Sequence, residues 1–134
     1  MRIEVKGRNV EVTDELRERV RRKFEKVSRQ VQPSAELEVE LSEERNPAIR
    51  ASQVAEATLH LKGATLRARE RALDMVHAIN LVAEEIARQV KRQREQVRGR
   101  REAEREKARE RRAAAAQSLT APAAEGEGAW EAGE

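Results

Sequence analysis

The sequence predicts an α+β fold, a two-layer sandwich of order β-α-β-β-β-α in which two helices cover one face of a four-stranded sheet. Two periodicities support this prediction. Short segments alternate polar and apolar residues, as half-buried strands do, and two longer segments repeat apolar residues every three to four positions, as amphipathic helices do. The extent of the fold follows from the large apolar residues, because 27 of the 29 Leu, Ile, Val, Phe, Met and Trp residues lie within positions 1–100 of the 134-residue chain.

The first strand and the first helix are predicted before Pro33. Polar and apolar residues alternate over 2–6, which is typical of a half-buried strand. Thr13 is a suitable N-cap, since its hydroxyl can accept a hydrogen bond from a free N–H group of the first turn, and Pro33 ends the helix. The apolar stripe of this helix consists of Leu16, Val20, Phe24, Val27 and Val31.

Three further strands follow. Glu alternates with Leu or Val over 36–42, which predicts a strand with one buried face and one acidic, solvated face. A polar loop with a turn at Asn46-Pro47 leads to strands at 54–61 and 65–69, which a tight turn at Lys62-Gly63 connects.

The second helix is predicted to begin near Glu70, where the apolar period becomes helical. Its stripe consists of Ala72, Val76, Ile79, Ala83, Ile86, Val90 and Val97, with Met75 at the edge. Residues 101–112 alternate Arg, Lys and Glu, and pairs such as Glu102 with Arg105 and Glu106 with Arg109 would support a solvated helix there.

Two regions are therefore predicted. Residues 1–100 form an α+β domain, and residues 101–134 form a charged helical extension followed by a disordered tail. The tail is predicted to be disordered because residues 113–134 are rich in Ala, Gly, Glu and Pro and hold only two large apolar residues.

Composition argues against several functional classes. The chain has no cysteine, which excludes disulfides, thiol catalysis and thiolate metal sites. It has no apolar run of about 20 residues and no apolar leader, so a cytoplasmic protein without membrane partners is expected. His60 and His77 are far apart in sequence, and no phosphate-binding loop or nucleophile motif is present. We expect no catalytic residues, no metal, no cofactor and no small-molecule substrate.

The charges are segregated along the chain. Residues 88–101 carry seven basic and one acidic side chain, whereas residues 36–61 carry two basic and six acidic ones. Such concentration of cations on particular elements favours a polyanionic partner. On both helices, basic residues lie opposite or beside the apolar stripe and are expected to be exposed. The candidate RNA-binding residues are Arg22, Lys26 and Arg29 on the first helix and Arg88, Lys91, Arg92 and Arg94 on the second.

Solvated helix faces would account for any one of these cations, but two basic rows beside an acidic sheet favour nucleic-acid binding. No aromatic residue is expected on the surface of the domain, which argues against base stacking. Contacts to phosphates and to the shape of a structured RNA are therefore expected.

Three segments of the domain carry a recognisable pattern. The first is Gly7-Arg8-Asn9-Val10-Glu11-Val12-Thr13 with Leu16-Arg17. The second is Ala57-Thr58-Leu59-His60-Leu61 with Thr65-Leu66-Arg67-Ala68. The third combines Asp74-Met75, Ala78-Ile79 and Ala87-Arg88-Gln89-Val90-Lys91-Arg92. Together, over about residues 1–98, they resemble the ribosome hibernation promoting factor family, which includes ribosome-associated inhibitor A and has a β-α-β-β-β-α fold.

The resemblance implies a function. Members of this family bind the small ribosomal subunit, in whole ribosomes too, in the channel between head and body where mRNA and the A- and P-site tRNAs bind, and they silence idle ribosomes. Their contacts run largely from basic residues to small-subunit 16S rRNA, which by position implies the same role for the seven candidate cations.

The chain departs from the family pattern at three positions of the second helix. Val76 stands where the family usually has Tyr, Gln93 lies near a frequent second aromatic, and Glu85 occupies a commonly basic position. Nothing after residue 100 resembles the C-terminal domain with which long members pair two ribosomes, so that domain is expected to be absent. Two alternatives stay open: binding of another structured RNA, and a protein-interaction domain that uses the acidic sheet.

Overall fold

The order of elements confirms the predicted α+β architecture. The computed structural model describes residues 1–46 and 48–118 in full, and residues 119–133 through their helical backbone alone. The elements are β1 (Arg2–Arg8), α1 (Asp14–Lys23), α2 (Glu25–Gln30), β2 (Glu36–Glu43), β3 (Gln53–Leu61), β4 (Ala64–Ala72) and α3 (Met75–Gly133).

The four strands form one sheet in the order β1-β2-β3-β4. β1 and β2 are parallel, because the connection through α1 and α2 returns the chain to the end of the sheet at which β1 began. The pairs β2–β3 and β3–β4 are antiparallel. The turn between β3 and β4 lies at Lys62-Gly63, as predicted, and Gly63 adopts a left-handed φ of 82°.

One apolar cluster joins the helices to a single face of the sheet. Register places Leu37 beside Leu59 and Val39 beside Ala57, and these four side chains are at most 1% exposed. The helices, with Phe24 between α1 and α2, contribute fully buried residues to the same cluster: Val20, Phe24, Val27, Ala78, Ile79, Val82, Ile86 and Val90. Both helical segments therefore cover the same sheet face, which confirms the two-layer arrangement.

The predicted first helix is divided at Phe24. Thr13 caps α1 as expected, since its Oγ1 accepts a hydrogen bond from the Leu16 N–H at 3.2 Å. At Phe24 the backbone has φ −93° and ψ 3°, outside the helical range. The Ser28 N–H nevertheless donates to the Phe24 carbonyl at 2.9 Å, so the chain direction is kept. Val20 and Val27 are buried on the two sides of the break, and Leu16 and Val31 at the ends of the predicted stripe are partly buried.

The predicted start of the last helix is wrong by several residues. Ala72 pairs with Gln53, which extends β4 well past the predicted end at residue 69. α3 begins at Met75, and Asp74 Oδ1 accepts from the His77 N–H at 2.7 Å. This start rotates the buried face, so that Met75 is only 8% exposed while Val76, predicted to be buried, is 36% exposed.

Contacts divide the chain into two units, Met1–Gln93 and Arg94–Glu134. In the second unit, helix α3 runs through residues 94–118, including 113–118, where disorder was expected. The disorder predicted for residues 119–134 lies outside the fully described residues. Within residues 94–118, the expected pairs of Glu102 with Arg105 and Glu106 with Arg109 form no ion pair within 4.0 Å. The predicted boundary at residue 100 stays a prediction.

Gly7 is the most crowded glycine of the described chain, and Gly7→Ala should destabilise the domain. A Cβ at this position would overlap the carbonyl oxygen of Val10 and lie 2.8 Å from Val12 Cγ2. Backbone must then shift, and we expect a loss of about 1–3 kcal/mol in the free energy of unfolding, measured by urea denaturation.

Gly99→Ala is the matched control for Gly7→Ala, because nothing lies within 4 Å of a Cβ added at Gly99. In a helix interior this change should raise helix stability by about 0.5–1 kcal/mol. Equal unfolding midpoints for Gly7→Ala and the unmodified protein would contradict the packing described at the end of β1.

Candidate nucleic-acid interface

The three cations predicted on the first helix are all exposed. Arg22 lies on α1, and Lys26 and Arg29 lie on α2. Their exposure follows from the apolar stripe, because Phe24 and Val27 fix the opposite side of these helices in the core. The break at Phe24 leaves all three on the solvent side.

Two of these cations have weak partners on their own helix. Arg22 Nε lies 3.5 Å from Glu18 Oε1, and Arg29 Nη2 lies 2.7 Å from Glu25 Oε1. Exposed i,i+4 pairs of this kind contribute only about 0.3–0.5 kcal/mol. Lys26 has no carboxylate within 4.0 Å among the described residues. All three cations can therefore turn to a polyanion at little energetic cost.

On α3, Arg88, Lys91 and Arg92 project from the side opposite the core. The core is met by Ile86 and Val90, which are at most 1% exposed, whereas the side chains of Arg88 and Arg92 are 62% and 65% exposed. Lys91 is exposed too, and no carboxylate of the described chain lies within 4.0 Å of its ammonium group.

Glu85 joins two of the candidate arginines. Its Oε2 accepts hydrogen bonds from Arg88 Nε at 3.0 Å and Nη2 at 2.7 Å. Its Oε1 lies 3.6 Å from Arg92 Nη2 and accepts from Gln89 Nε2 at 3.3 Å. Gln89 Nε2 also donates to the backbone carbonyl of Arg67 on β4 at 2.8 Å. One carboxylate thus holds two guanidinium groups on the solvent side of α3.

The hydrogen bond from Arg88, followed by that from Gln89, holds the pKa of the Glu85 carboxyl below its usual value. Partial burial opposes this shift, and the charges of Arg88 and Arg92 add to it. Glu85 is therefore ionised throughout the neutral range, and the cluster of Glu85, Arg88 and Arg92 carries a net charge of about +1.

The structure brings Arg88 and Arg92 together around Glu85, and no other candidate contacts this carboxylate within 4.0 Å among the described residues. No hydrogen bond or ion pair of the described residues connects the α1–α2 cations with those on α3. Arg94 is exposed and is the first residue of the second unit.

The sheet face away from the helices is acidic only in its centre. Glu36, Glu38 and Glu40 are exposed on β2, as predicted. Register places Arg2 beside Glu36 and Lys6 beside Glu40 on β1, and Glu56 on β3 beside an arginine of β4. The exposed arginines of β4 on this face are Arg67, Arg69 and Arg71. The acidic face predicted for residues 36–42 is therefore present on β2, and basic side chains of both edge strands flank it.

Two features escaped the sequence analysis. The β4 arginines alternate with Leu66 and Ala68 in the sequence, so period-two alternation was an available signal for their common face. Glu85 precedes Arg88 by three residues, a spacing that permits pairing on a helix, but its second contact with Arg92 depends on rotamers that spacing does not specify.

Neither histidine is placed to hold a metal ion together with other described side chains. His60 Nε2 lies 3.8 Å from Glu38 Oε2, and both side chains are about half exposed. Across residues 1–46 and 48–118, no group of His, Asp and Glu side chains is arranged to hold a metal ion. Over the same part of the chain, no helix is both long and apolar enough to cross a membrane.

Known proteins are similar to this chain in sequence and in fold. A ribosome hibernation promoting factor of Salmonella typhimurium is 31% identical over 98 residues, which cover 73% of this chain and 98% of the relative. A ribosome hibernation promotion factor of Picosynechococcus sp. is 32% identical over 102 residues, 75% of this chain. Those residues are 53% of the Picosynechococcus protein, so the chain spans about half the length of that relative.

Solved structures agree with the sequence match. The Protein Y N-terminal domain of Thermus thermophilus has a TM-score of 0.59 and 30% identity, covering 69% of this chain and 98% of that domain. A ribosomal subunit interface protein of Coxiella burnetii, at 19% identity and a TM-score of 0.58, shares the fold. Residues 3–98 match the family described as Sigma 54 modulation protein / S30EA ribosomal protein. The chain therefore belongs to this family, that of the ribosome hibernation promoting factors.

Proposed function

We propose that this protein is a ribosome hibernation factor that binds the small ribosomal subunit in the mRNA and tRNA channel and silences translation in idle ribosomes. Family membership supports the ribosome as partner, since the Salmonella and Picosynechococcus relatives are named for ribosome hibernation. In this proposal the protein acts in the cytoplasm, where idle ribosomes are found.

The observation that carries the proposal is the arrangement of cations on the helices. Six of the seven candidate cations lie in the unit Met1–Gln93, on helices that cover the same sheet face, and all six are exposed. The acidic residues that pair with these arginines are Glu18, Glu25 and Glu85, and a phosphate can replace each of these contacts.

Contacts to 16S rRNA would run through phosphates and not through stacked bases. Guanidinium groups bind phosphate oxygens in bidentate geometry, and four-residue spacing on a helix separates successive cations by about 6 Å. Phe24, the only aromatic residue among the fully described positions, is completely buried. Recognition of the backbone and shape of a folded RNA is the mode these side chains support.

Silencing in this proposal is steric. A folded domain held by rRNA in the decoding channel occupies the space that mRNA and tRNA need, so initiation stops while the ribosome stays intact. No covalent step is involved, and the proposal requires no catalytic residue and no cofactor. Binding and release are governed by the strength of the phosphate contacts.

Binding to ribosomes should weaken steeply with salt. If each of the seven candidate cations neutralises one phosphate, log affinity should fall with log salt with a slope of about −5 to −6. Sedimentation of the protein with purified bacterial 30S subunits and 70S ribosomes, from low to moderate KCl, measures this slope. A flat profile would contradict the electrostatic account.

The α3 cations should contribute more to ribosome binding than the tail does. Replacing Arg88, Lys91 and Arg92 together by Ala should weaken ribosome binding by about 2–4 kcal/mol, roughly 30- to 1,000-fold, because three charge-assisted contacts are lost from a solvated rim. The salt slope should become shallower by about 2–3. Truncation after residue 112 removes four Glu and no basic residue, so binding should be almost unchanged.

The matched control for this triple variant replaces Arg67, Arg69 and Arg71 by Ala. It removes the same net charge from exposed positions on the opposite sheet face. Its binding should change by about threefold or less, since screened long-range effects alone are involved. Circular dichroism verifies that both triple variants fold. If the truncated protein lost ribosome binding while the α3 variant kept it, the binding site would lie in the tail and not on α3.

In cell-free translation, the protein should inhibit synthesis when it is added before mRNA and initiator tRNA, and excess of both should relieve the inhibition. This competition follows from shared space in the decoding channel. Strong ribosome binding with undiminished synthesis would place the protein elsewhere on the ribosome.

The RNA that copurifies with the protein from resting cells tests the alternative that its partner is another structured RNA. A small defined RNA in place of rRNA would favour that alternative.

A further inference from the structure

We propose that Glu85 is an intramolecular competitor of phosphate, which limits the affinity of the α3 surface for RNA by occupying the guanidinium groups of Arg88 and Arg92. The inference rests on the proposed function for the identity of the RNA, ribosomal RNA.

The competition is direct because Glu85 uses the donors that a phosphate would use. Arg88 presents Nε and Nη2 together to one carboxylate oxygen, at 3.0 and 2.7 Å, which are the two N–H groups suited to bidentate phosphate binding. Arg92 directs its Nη2 to the other oxygen at 3.6 Å. A phosphate approaching either arginine must displace these contacts or share the donors with a negative charge.

Glu85 cannot easily move aside. Its side chain is 25% exposed, compared with 62% for Arg88, and Gln89 holds its Oε1 from one turn further along α3. The same Gln89 amide group is fixed by the backbone carbonyl of Arg67 on β4. The carboxylate is therefore anchored to the folded domain while the two arginine side chains are free to exchange partners.

Removing this one charge should raise the affinity for polyanions. Glu85→Gln keeps the shape of the side chain and raises the net charge of the cluster from about +1 to about +2. Exposed ion pairs are individually weak, so the gain should be moderate, about three- to tenfold in Kd at low salt. The magnitude of the salt slope should increase by less than the value that one phosphate contact contributes, because the two guanidinium groups now interact with phosphate alone.

Glu84→Gln is the matched control. Glu84 is the neighbouring residue on α3, is exposed and has no cation within 4.0 Å among the described residues. Both variants change the net charge equally, so an effect of overall charge would appear in both. We expect Glu84→Gln to change Kd by less than twofold.

Binding is measured with two probes, purified bacterial 70S ribosomes and a fluorescently labelled 12-nucleotide polyuridine. Tighter binding of Glu85→Gln than of Glu84→Gln to both probes supports the inference. If the unmodified protein binds polyuridine but not ribosomes, the proposed function fails, while a polyuridine gain specific to Glu85→Gln still supports the competition. Equal effects of the two variants, or weaker binding by Glu85→Gln, would overturn it.

Two further measurements separate competition from a structural role. In a protein with Arg88→Ala and Arg92→Ala, adding Glu85→Gln should leave Kd for polyuridine unchanged within twofold, because the competed donors are gone. NMR of the arginine Nε–Hε groups should show a slowly exchanging signal for Arg88 that Glu85→Gln abolishes and Glu84→Gln retains. A persistent gain without the two arginines, or a fast-exchanging Arg88 signal in the unmodified protein, would refute the proposal.

Discussion

Burial of one apolar cluster between the helices and the sheet is the constraint on which the rest of the structure depends. Phe24 on the loop between α1 and α2, Leu59 on β3 and Ile86 on α3 are all fully buried in that cluster. A helix that commits one side to the core must turn its other side to water. The exposure of the helix cations is therefore a consequence of packing, and it needs no separate stabilising interaction.

The same constraint separates two electrostatically different surfaces. The helices direct their cations away from the sheet, while the other sheet face carries a central acidic strip on β2 between basic residues on β1 and β4. Cross-strand neighbours of opposite sign, such as Lys6 and Glu40, limit the field that this sheet face projects. On α3, Glu85 is the only acidic residue among the described positions that forms an ion pair with a candidate cation.

Glu85 lowers the positive charge of the α3 surface around Arg88 and Arg92. A cation at this position would add to the attraction for phosphate, whereas a carboxylate lowers it and orders Arg88 at the same time. In the competition proposed above, the carboxylate would reduce affinity without blocking the surface, because exposed ion pairs are individually weak.

Short-range signals in the sequence determined the element types, the cap at Thr13, the turn at Lys62-Gly63 and the identity of most core residues, because each depends on periodicity or on local hydrogen bonding. The sequence also placed the candidate cations on solvated helix faces, since angle on a helix follows from spacing. Only tertiary structure decided where β4 ends and α3 begins, because pairing of Ala72 with Gln53 extends the strand and leaves Val76 partly exposed. Tertiary structure also decided that basic edge strands flank the acidic strip, and that Glu85 contacts both Arg88 and Arg92, because strand register and side-chain rotamers depend on neighbours that are distant in sequence or compete in space.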